Sequence, residues 1–385
     1  VRARLSFELR NVGQNESFKV TGETADLCFE FSSEGELQQA LPLVLRLISE
    51  GKKIELIYFS PSVEKSVQKL ASDHQSQIRA LRFPLLLQFV KPEFSLLNWV
   101  TSSKLVLVRY DFFPDFLALK LKKQMKLILI WGSLKRERLK DGSLSFYKRK
   151  FFESFSLIVW TNFVEKKFAE KFNLPGEVFD FRVSQIQDRL RLSSDKLQAE
   201  IPLLLSSLHT INQGERVILG NAWASDLKLL KDFPIQKFFL IVPHSLRPDH
   251  LAELFSKMRE LAIEYQVMAE DGEIETKTKV VVLVKKGILC ELYQLFDYAY
   301  VGGGFESSIH SVLEPLVSSV PSISCGPQNS RSTEFDYAQS FDRIKVVLNE
   351  NQFKAWLEQP VVKKELTFYE NEEHFKTLKD LILNA

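Results

Sequence analysis

Short runs of β-branched and other apolar residues alternate along the chain with helix-length stretches whose apolar positions recur every three or four residues. Residues 26–31, 34–49 and 53–59 open this series as strand, helix and strand. Residues 105–110, 127–132 and 157–161 predict three more strands in the first half, each buried-looking and each followed by a charged helical segment. Strands without polar alternation are those covered on both faces, so the pattern predicts a parallel sheet between two layers of helices.

After Val183 the rhythm changes to a long polar helical stretch reaching about Asn212, with no strand inside it. A second βα series follows, with strands at 216–220, 238–242, 279–284, 298–302 and 321–324, and residues 366–385 read as a terminal helix. The expected organisation is a first Rossmann-like domain over residues 1–183, a linker region over 184–213 and a second Rossmann-like domain over 214–385. In doubly wound α/β domains ligands sit beyond the carboxyl ends of the strands, so the chemistry is sought in the loops that follow them.

Composition narrows the function. The chain has 385 residues, 45% apolar and 26% charged, with 51 Lys and Arg against 49 Asp and Glu. A net charge of +2 gives no overall footprint for nucleic acid. Cys28, Cys290 and Cys325 lie far apart, which speaks against a zinc site or a disulfide framework and for a reducing compartment. No run approaches the roughly 18 to 20 apolar residues that cross a bilayer. The sequence begins at Val1 rather than Met, which leaves room for a processed signal or an anchor upstream.

Charge is nonetheless uneven. Residues 120–150 carry eleven basic residues against only Glu137 and Asp141, followed by Phe151, Phe152 and Phe155. Such a basic, aromatic-edged surface suits phosphate groups or an anionic membrane face, although a set of ordinary solvated helix faces has the same composition.

The most informative segment is Tyr300-Val301-Gly302-Gly303-Gly304-Phe305, followed by His310, Glu314 and Pro315. A strand runs into three glycines and then a predicted helix. Glycines let a ligand approach the backbone, and the N–H groups at a helix start favour an anion. His310 and Glu314 are four apart and would share a helix face, where a carboxylate can accept both hydroxyls of a ribose. A tight structural turn explains the triple glycine equally well. The next strand runs into Cys325-Gly326-Pro327-Gln328-Asn329, with Glu334 beyond it.

This ordering of Gly-Gly-Gly-Phe, His310, Leu313-Glu314-Pro315, Pro321, Gly326-Pro327, Asn329 and Glu334 resembles the donor-binding half of 3-deoxy-D-manno-octulosonic acid (Kdo) transferases. The first half carries the resemblance further. Ser33-Glu34-Gly35-Glu36 is similar to the family's Ser-x-Gly-Glu turn, which makes Glu36 the expected catalytic base and Ser33, Glu34 and Gly35 its acceptor-side neighbours. Ser32 or Ser33 as a helix cap, with Glu34 and Glu36 complementing the helix dipole, satisfies the same residues. Asp111, ahead of Phe113 and Pro114, stands where the family has a Glu followed by Trp-Pro, and is expected to help place the acceptor; a strand end with buried aromatics is the alternative.

On the donor side Asn221, Ala222 and Trp223 resemble the family's Gly-Ser-Thr-Trp turn with both hydroxyl residues replaced, and Asp226 is the acid that follows. Pro243-His244 resembles its Pro-His or Pro-Arg turn. The resemblance implies that Asn221, Trp223, Pro243 and His244 border the nucleotide and that Glu314 holds its ribose. It also implies that amides of Gly302, Gly303, Gly304 and Gly326 meet donor oxygens, with His310, Pro327, Asn329 and Glu334 completing the donor side.

The resemblance implies a GT-B glycosyltransferase of two Rossmann-like doubly wound domains with an interdomain cleft. It implies inverting transfer of Kdo from CMP-Kdo to a lipid A precursor, without metal or cofactor, at the cytoplasmic face of a bacterial inner membrane, held there peripherally or by an anchor before Val1. Two other readings stand beside it: a GT-B enzyme using a different nucleotide sugar, and a degenerate, membrane-associated binding protein.

Overall fold

The computed structural model describes residues 5–6, 8–9, 24–84, 86, 95–109, 113–134, 145–191, 193–212, 214–231, 236–275, 277–306, 308–329, 333–361, 366, 368 and 371–385. The chain divides into two compact units, one formed by Val1–Ser184 together with Tyr369–Ala385 and the other by Gln185–Phe368.

The first unit is built on strands β1 (Leu27–Phe31), β2 (Ile54–Tyr58), β3 (Ile78–Arg82), β4 (Lys104–Val108), β5 (Lys126–Gly132), β6 (Phe155–Trp160) and β7 (Glu177–Val178). They pair in parallel in the order β3-β2-β1-β4-β5-β6-β7. The continuous apolar runs are buried along their length, all five residues of β1 and of β2 included, because helices cover both faces. One face packs Leu27, Phe29 and Phe31 against Leu37, Val44 and Leu47 of the helix Glu34–Ser49. The other packs Leu105, Leu107 and Leu127 against Phe116, Leu119 and Phe151.

The second unit repeats the plan with β8 (Arg216–Ala222), β9 (Phe238–Pro243), β10 (Gln266–Met268), β11 (Val280–Leu283), β12 (Tyr298–Val301), β13 (Ser322–Cys325) and β14 (Ile344–Val346). Its order is β10-β11-β9-β8-β12-β13-β14, again parallel throughout. In each sheet the chain leaves the first strand to one side and returns on the other. A crevice therefore opens between β1 and β4 and between β8 and β12, at the carboxyl ends of those strands.

Two expected boundaries shift. The helix Glu372–Asn384, expected to complete the second domain, belongs to the first unit. Its Phe375, Leu378 and Ile382 enter the core beside β1 and the helix Glu34–Ser49, and Arg46 and Glu50 of that region pair with Glu372 and Lys379. The stretch expected as a linker forms the helices Phe181–Arg191, Ser193–Glu200 and Pro202–His209, of which residues from Gln185 onward group with the second unit. Buried Glu291 holds them there by pairing with Arg189 and Lys196. The short edge strands β3, β7, β10 and β14 were not legible in the hydrophobic pattern. No helix among the described residues is long and apolar enough to cross a membrane.

Candidate active site

In the first unit the chemistry gathers where β1 ends. Ser33 has an extended backbone and caps the helix Glu34–Ser49, its hydroxyl accepting from the amide of Glu36 at 3.4 Å. The carboxylate of Glu36 folds back over this cap, where Oε2 accepts from the amide of Ser32 at 2.7 Å. The hydroxyl of Ser32 in turn donates to Oε1 of Glu30 at 3.0 Å. Both acids are buried, Glu30 on the central strand and Glu36 on the first turn of the helix. Ser32 thus links two carboxylates at the β1–β4 crevice, and Glu30 is a neighbour that sequence reasoning missed because a strand of apolar residues hid it.

The other expected acceptor-side residues divide. Glu34 turns to Gln38 and to Ser66 of the helix Pro61–Asp73, accepting at 2.8 and 2.9 Å, so it joins two helices. A Cβ on Gly35 would meet nothing within 4 Å. Asp111 lies outside the described residues. Phe113 sits in an aromatic cluster with ring centroids 5.3 Å from Phe59, 5.1 Å from Phe83 and 5.7 Å from Phe116.

In the second unit the turn after β8 and the loop after β12 are tied together by Asp226. This fully buried acid accepts from the amides of Trp223 and Gly303 at 2.9 and 3.1 Å and from the hydroxyl of Tyr300 at 2.8 Å. Burial pushes its carboxyl pKa up, against the pull of these donors. Held by that knot, the Trp223 ring stacks on His244 with centroids 4.4 Å apart, and His244 stacks on His310 at 4.3 Å. The Trp223 indole N–H donates to Nε2 of His310 at 3.2 Å, which makes that nitrogen the acceptor and places the proton of the neutral ring on Nδ1. Burial, and then the neighbouring His244, push His310 down to about 4. Burial, and then His250, lower His244. The result is a three-ring platform of neutral aromatic faces, to which Pro243 is joined through its register with Ala222.

The triple glycine serves packing more than its expected role. A Cβ on Gly302 would lie 2.2 Å from the carbonyl oxygen of Asn221, and one on Gly304 would lie 2.6 Å from Cα of Gly326. Gly303 has φ +92°, a conformation that favours glycine. The amide of Gly302 donates to Gly220 at 2.9 Å and that of Gly303 to Asp226, so these two amides are spent inside the fold instead of facing a donor. The predicted helix through His310 is also corrected. Residues 308–312 form no helical turn, since the amides of Ile309 and His310 donate to Gln328 and Gly302, and the helix begins only at Leu313. His310 and Glu314 therefore share no helix face.

Glu314 faces Nη1 of Arg189 at 4.0 Å. Arg189 is itself anchored by contacts of 3.0 to 3.2 Å to Glu291, a pairing hidden in what the sequence read as a linker. Burial, and then the charge of Glu314, raise the Cys290 thiol to about 12 and the Tyr293 hydroxyl well above its ordinary value. Glu334 accepts from the hydroxyl of Ser311 at 2.9 Å. Asn329 turns its amide to Pro327 at 3.0 Å.

The basic stretch is only partly described, since residues 135–144 fall outside. Within the rest, Leu121 and Phe146 are 79% and 77% exposed among exposed Lys122, Lys123, Arg149 and Lys150. The ammonium groups of Lys120 and Lys123 donate to the carbonyls of Ser154 and Val100.

Known proteins share this architecture. The UDP-GlcNAc 2-epimerase of Methanocaldococcus jannaschii superposes with a TM-score of 0.61 at 10% identity, covering 93% of this chain and 99% of that one. The UDP-GlcNAc 2-epimerase of Neisseria meningitidis, bound to UDP-GlcNAc, gives 0.53 at 14% identity, with 92% and 94% covered. The chain has a GT-B-like fold. At these identities the likeness is one of fold. In sequence, the profile of the 3-deoxy-D-manno-octulosonic-acid transferase (kdotransferase) family matches residues 3–180, less than half of the chain. A bifunctional glycosyltransferase/methyltransferase of Fusobacterium nucleatum is 25% identical over 308 residues, covering 74% of this chain and 44% of that protein. The chain thus spans under half the length of that relative.

Proposed function

We propose that this chain is a GT-B glycosyltransferase that takes its sugar from a nucleotide-sugar donor, with Glu36 as the catalytic base. The observation that carries the proposal is the buried Glu36 carboxylate, fixed by the Ser32 amide at the carboxyl end of β1, where doubly wound sheets present catalytic groups. An acceptor hydroxyl gives its proton to Glu36 as its oxygen forms a bond to the anomeric carbon. The bond from that carbon to the leaving phosphate breaks, its electron pair departs with the nucleotide, and the configuration inverts. The Trp223–His244–His310 platform offers flat, uncharged faces against which a base can stack. Glu314 supplies the acceptor atoms a ribose diol needs, with the Arg189 guanidinium 4.0 Å from it.

Within that class the finer reading is transfer of Kdo from CMP-Kdo to a lipid A precursor at the inner face of the membrane. It is supported by the family match over residues 3–180 and by the Ser33-Glu34-Gly35-Glu36 turn. Exposed Leu121 and Phe146 among lysines suit an anionic headgroup layer. A different nucleotide sugar is the second reading. It is favoured by Asn221 and Ala222 in place of two hydroxyl residues and by the Gly302 and Gly303 amides, which the fold already uses.

The test is a donor panel of CMP-Kdo, UDP-GlcNAc and UDP-glucose, offered with a tetraacyl lipid A precursor and with simple sugar acceptors, products read by mass. A Kdo-sized mass gain that Glu36→Gln abolishes supports the finer reading. A gain from a uridine donor alone replaces it with the second. No gain from any donor, with the protein folded, overturns the transferase proposal and leaves a binding protein.

A further inference from the structure

The edge of the first sheet that carries Glu36 also carries a cation in an unusual setting. Glu30 of β1 is in register with Leu107 of β4, and Leu107 with Leu129 of β5. Beyond these pairs Ser32 directly follows β1, Arg109 directly follows β4, and Trp131 is the penultimate residue of β5, so all three lie at the carboxyl ends of three adjacent strands. The turn that carries Arg109 therefore leaves the sheet next to the turn whose Ser32 amide holds Glu36.

Arg109 has φ +73° and Trp131 φ +57°, left-handed conformations that bulky L-residues seldom adopt. The amide of Arg109 donates to the carbonyl of Ile130 at 3.0 Å, which pins the turn to β5. The outcome of these two bends is specific: the guanidinium carbon sits 3.9 Å from the centroid of the Trp131 ring. Trp131 is buried and Arg109 half-buried, so the indole forms a floor under a cation at the β1–β4 crevice. Costly backbone geometry on two adjacent strands persists where surrounding structure enforces it, and it concentrates at ligand sites. A guanidinium with one face on an indole presents its N–H edge in a fixed plane, the geometry that grips a planar or tetrahedral oxyanion through paired hydrogen bonds.

We propose that Arg109, seated on Trp131, binds an oxyanion of the acceptor, a phosphate monoester or a carboxylate, beside the hydroxyl that Glu36 deprotonates. This assignment rests on the reading of the first unit as the acceptor side, and it narrows the acceptor to an anionic one. Arg109 is a specificity residue: it orients the acceptor, and Glu36 takes the proton.

The experiment reads binding, so it does not depend on turnover. The indole N–H resonance of Trp131 in the ¹⁵N-labelled full chain, assigned with Trp131→Phe, is followed during titration with glucose 1-phosphate, methyl glucuronide, methyl glucoside and CMP. The expected result is a saturable shift with glucose 1-phosphate or the glucuronide and none with the neutral glucoside. Arg109→Gln should weaken binding about tenfold or more, and Arg109→Lys, which keeps the charge and loses the fork, by less. The two anions distinguish phosphate from carboxylate. Should Arg109→Gln fail to fold, the comparison of Arg109→Lys with the unmodified chain decides. The proposal is overturned if neither sugar anion moves the resonance, if the glucoside moves it equally, if CMP is preferred there, or if the variants bind as the unmodified chain does. Saturable binding alongside a failed donor panel would sink the transferase reading and leave the assignment of Arg109 standing.

Discussion

The indole N–H of Trp223 donates to Nε2 of His310 at 3.2 Å across 87 positions of sequence, and this bond exists only while His310 is neutral. Protonation would place a hydrogen on Nε2, the nitrogen that accepts from Trp223, and a charge against the His244 ring. His310 is accordingly pushed down from 6.5 to about 4 by burial and then by His244. A depressed imidazole contributes stability that is present above its unfolded pKa and lost as pH falls through its folded one. Thermal melts should therefore show stability falling as pH drops from about 6.5 to about 4, and Phe at position 310 should flatten that dependence. An unchanged slope in His310→Phe would remove the neutral stack from the account of the donor site.

Glu36→Gln keeps an oxygen that can accept from the Ser32 amide and loses the carboxylate proposed as the base. Transfer should slow by about 10²- to 10⁴-fold while nucleotide binding to the second unit is unchanged, as steady-state rates and calorimetry would read. Loss of nucleotide binding together with rate would instead mark Glu36 as structural.

Two glycines make a paired test of packing. Gly304→Ala must place a Cβ 2.6 Å from Cα of Gly326 and 2.7 Å from its N, both backbone atoms, so one loop has to move. The expected cost is about 1–3 kcal/mol in a urea titration, with weaker nucleotide binding. Gly35→Ala adds a Cβ in open space on the first turn of a helix and should be neutral or stabilising by up to about 1 kcal/mol.

Ile382→Ala tests where the terminal helix belongs. Ile382 is fully buried in the cluster that holds Leu27 and Phe29. The substitution should destabilise the first unit by about 2–5 kcal/mol, seen as an earlier unfolding of that unit in denaturant. If the second unit unfolds earlier instead, the helix has been placed on the wrong core.

The hydrophobic pattern was enough to read two parallel, doubly wound sheets, because a strand covered on both faces is apolar at nearly every position and a covering helix is apolar on one side only. Local chemistry marked the Ser33–Glu36 turn, the triple glycine, Trp223 and His244, since caps, tight turns and aromatic turns leave their signature within a few residues. Edge strands such as Ile78–Arg82 and Gln266–Met268 escaped notice. Gln266–Met268 has only three residues, and Ile78–Arg82 carries Arg79 and Arg82, which pair with Glu55 and Glu64.

What needed the tertiary structure is of another kind. The sequence alone determined where capped, glycine-rich and aromatic turns follow the strands. Only the fold decided that Ser32 joins Glu30 to Glu36, that Asp226 ties the Trp223 turn to the glycine loop, and that Arg189 reaches Glu314 from a segment that reads as a linker. The same holds for the terminal helix, whose apolar stripe says that it must be buried but not against which sheet. Periodicity reports whether a residue is covered, a local property of the chain. Which residue covers it is settled by strand order and register, which bring Ser32, Arg109 and Trp131 to the carboxyl ends of three adjacent strands although about a hundred positions separate the first from the last.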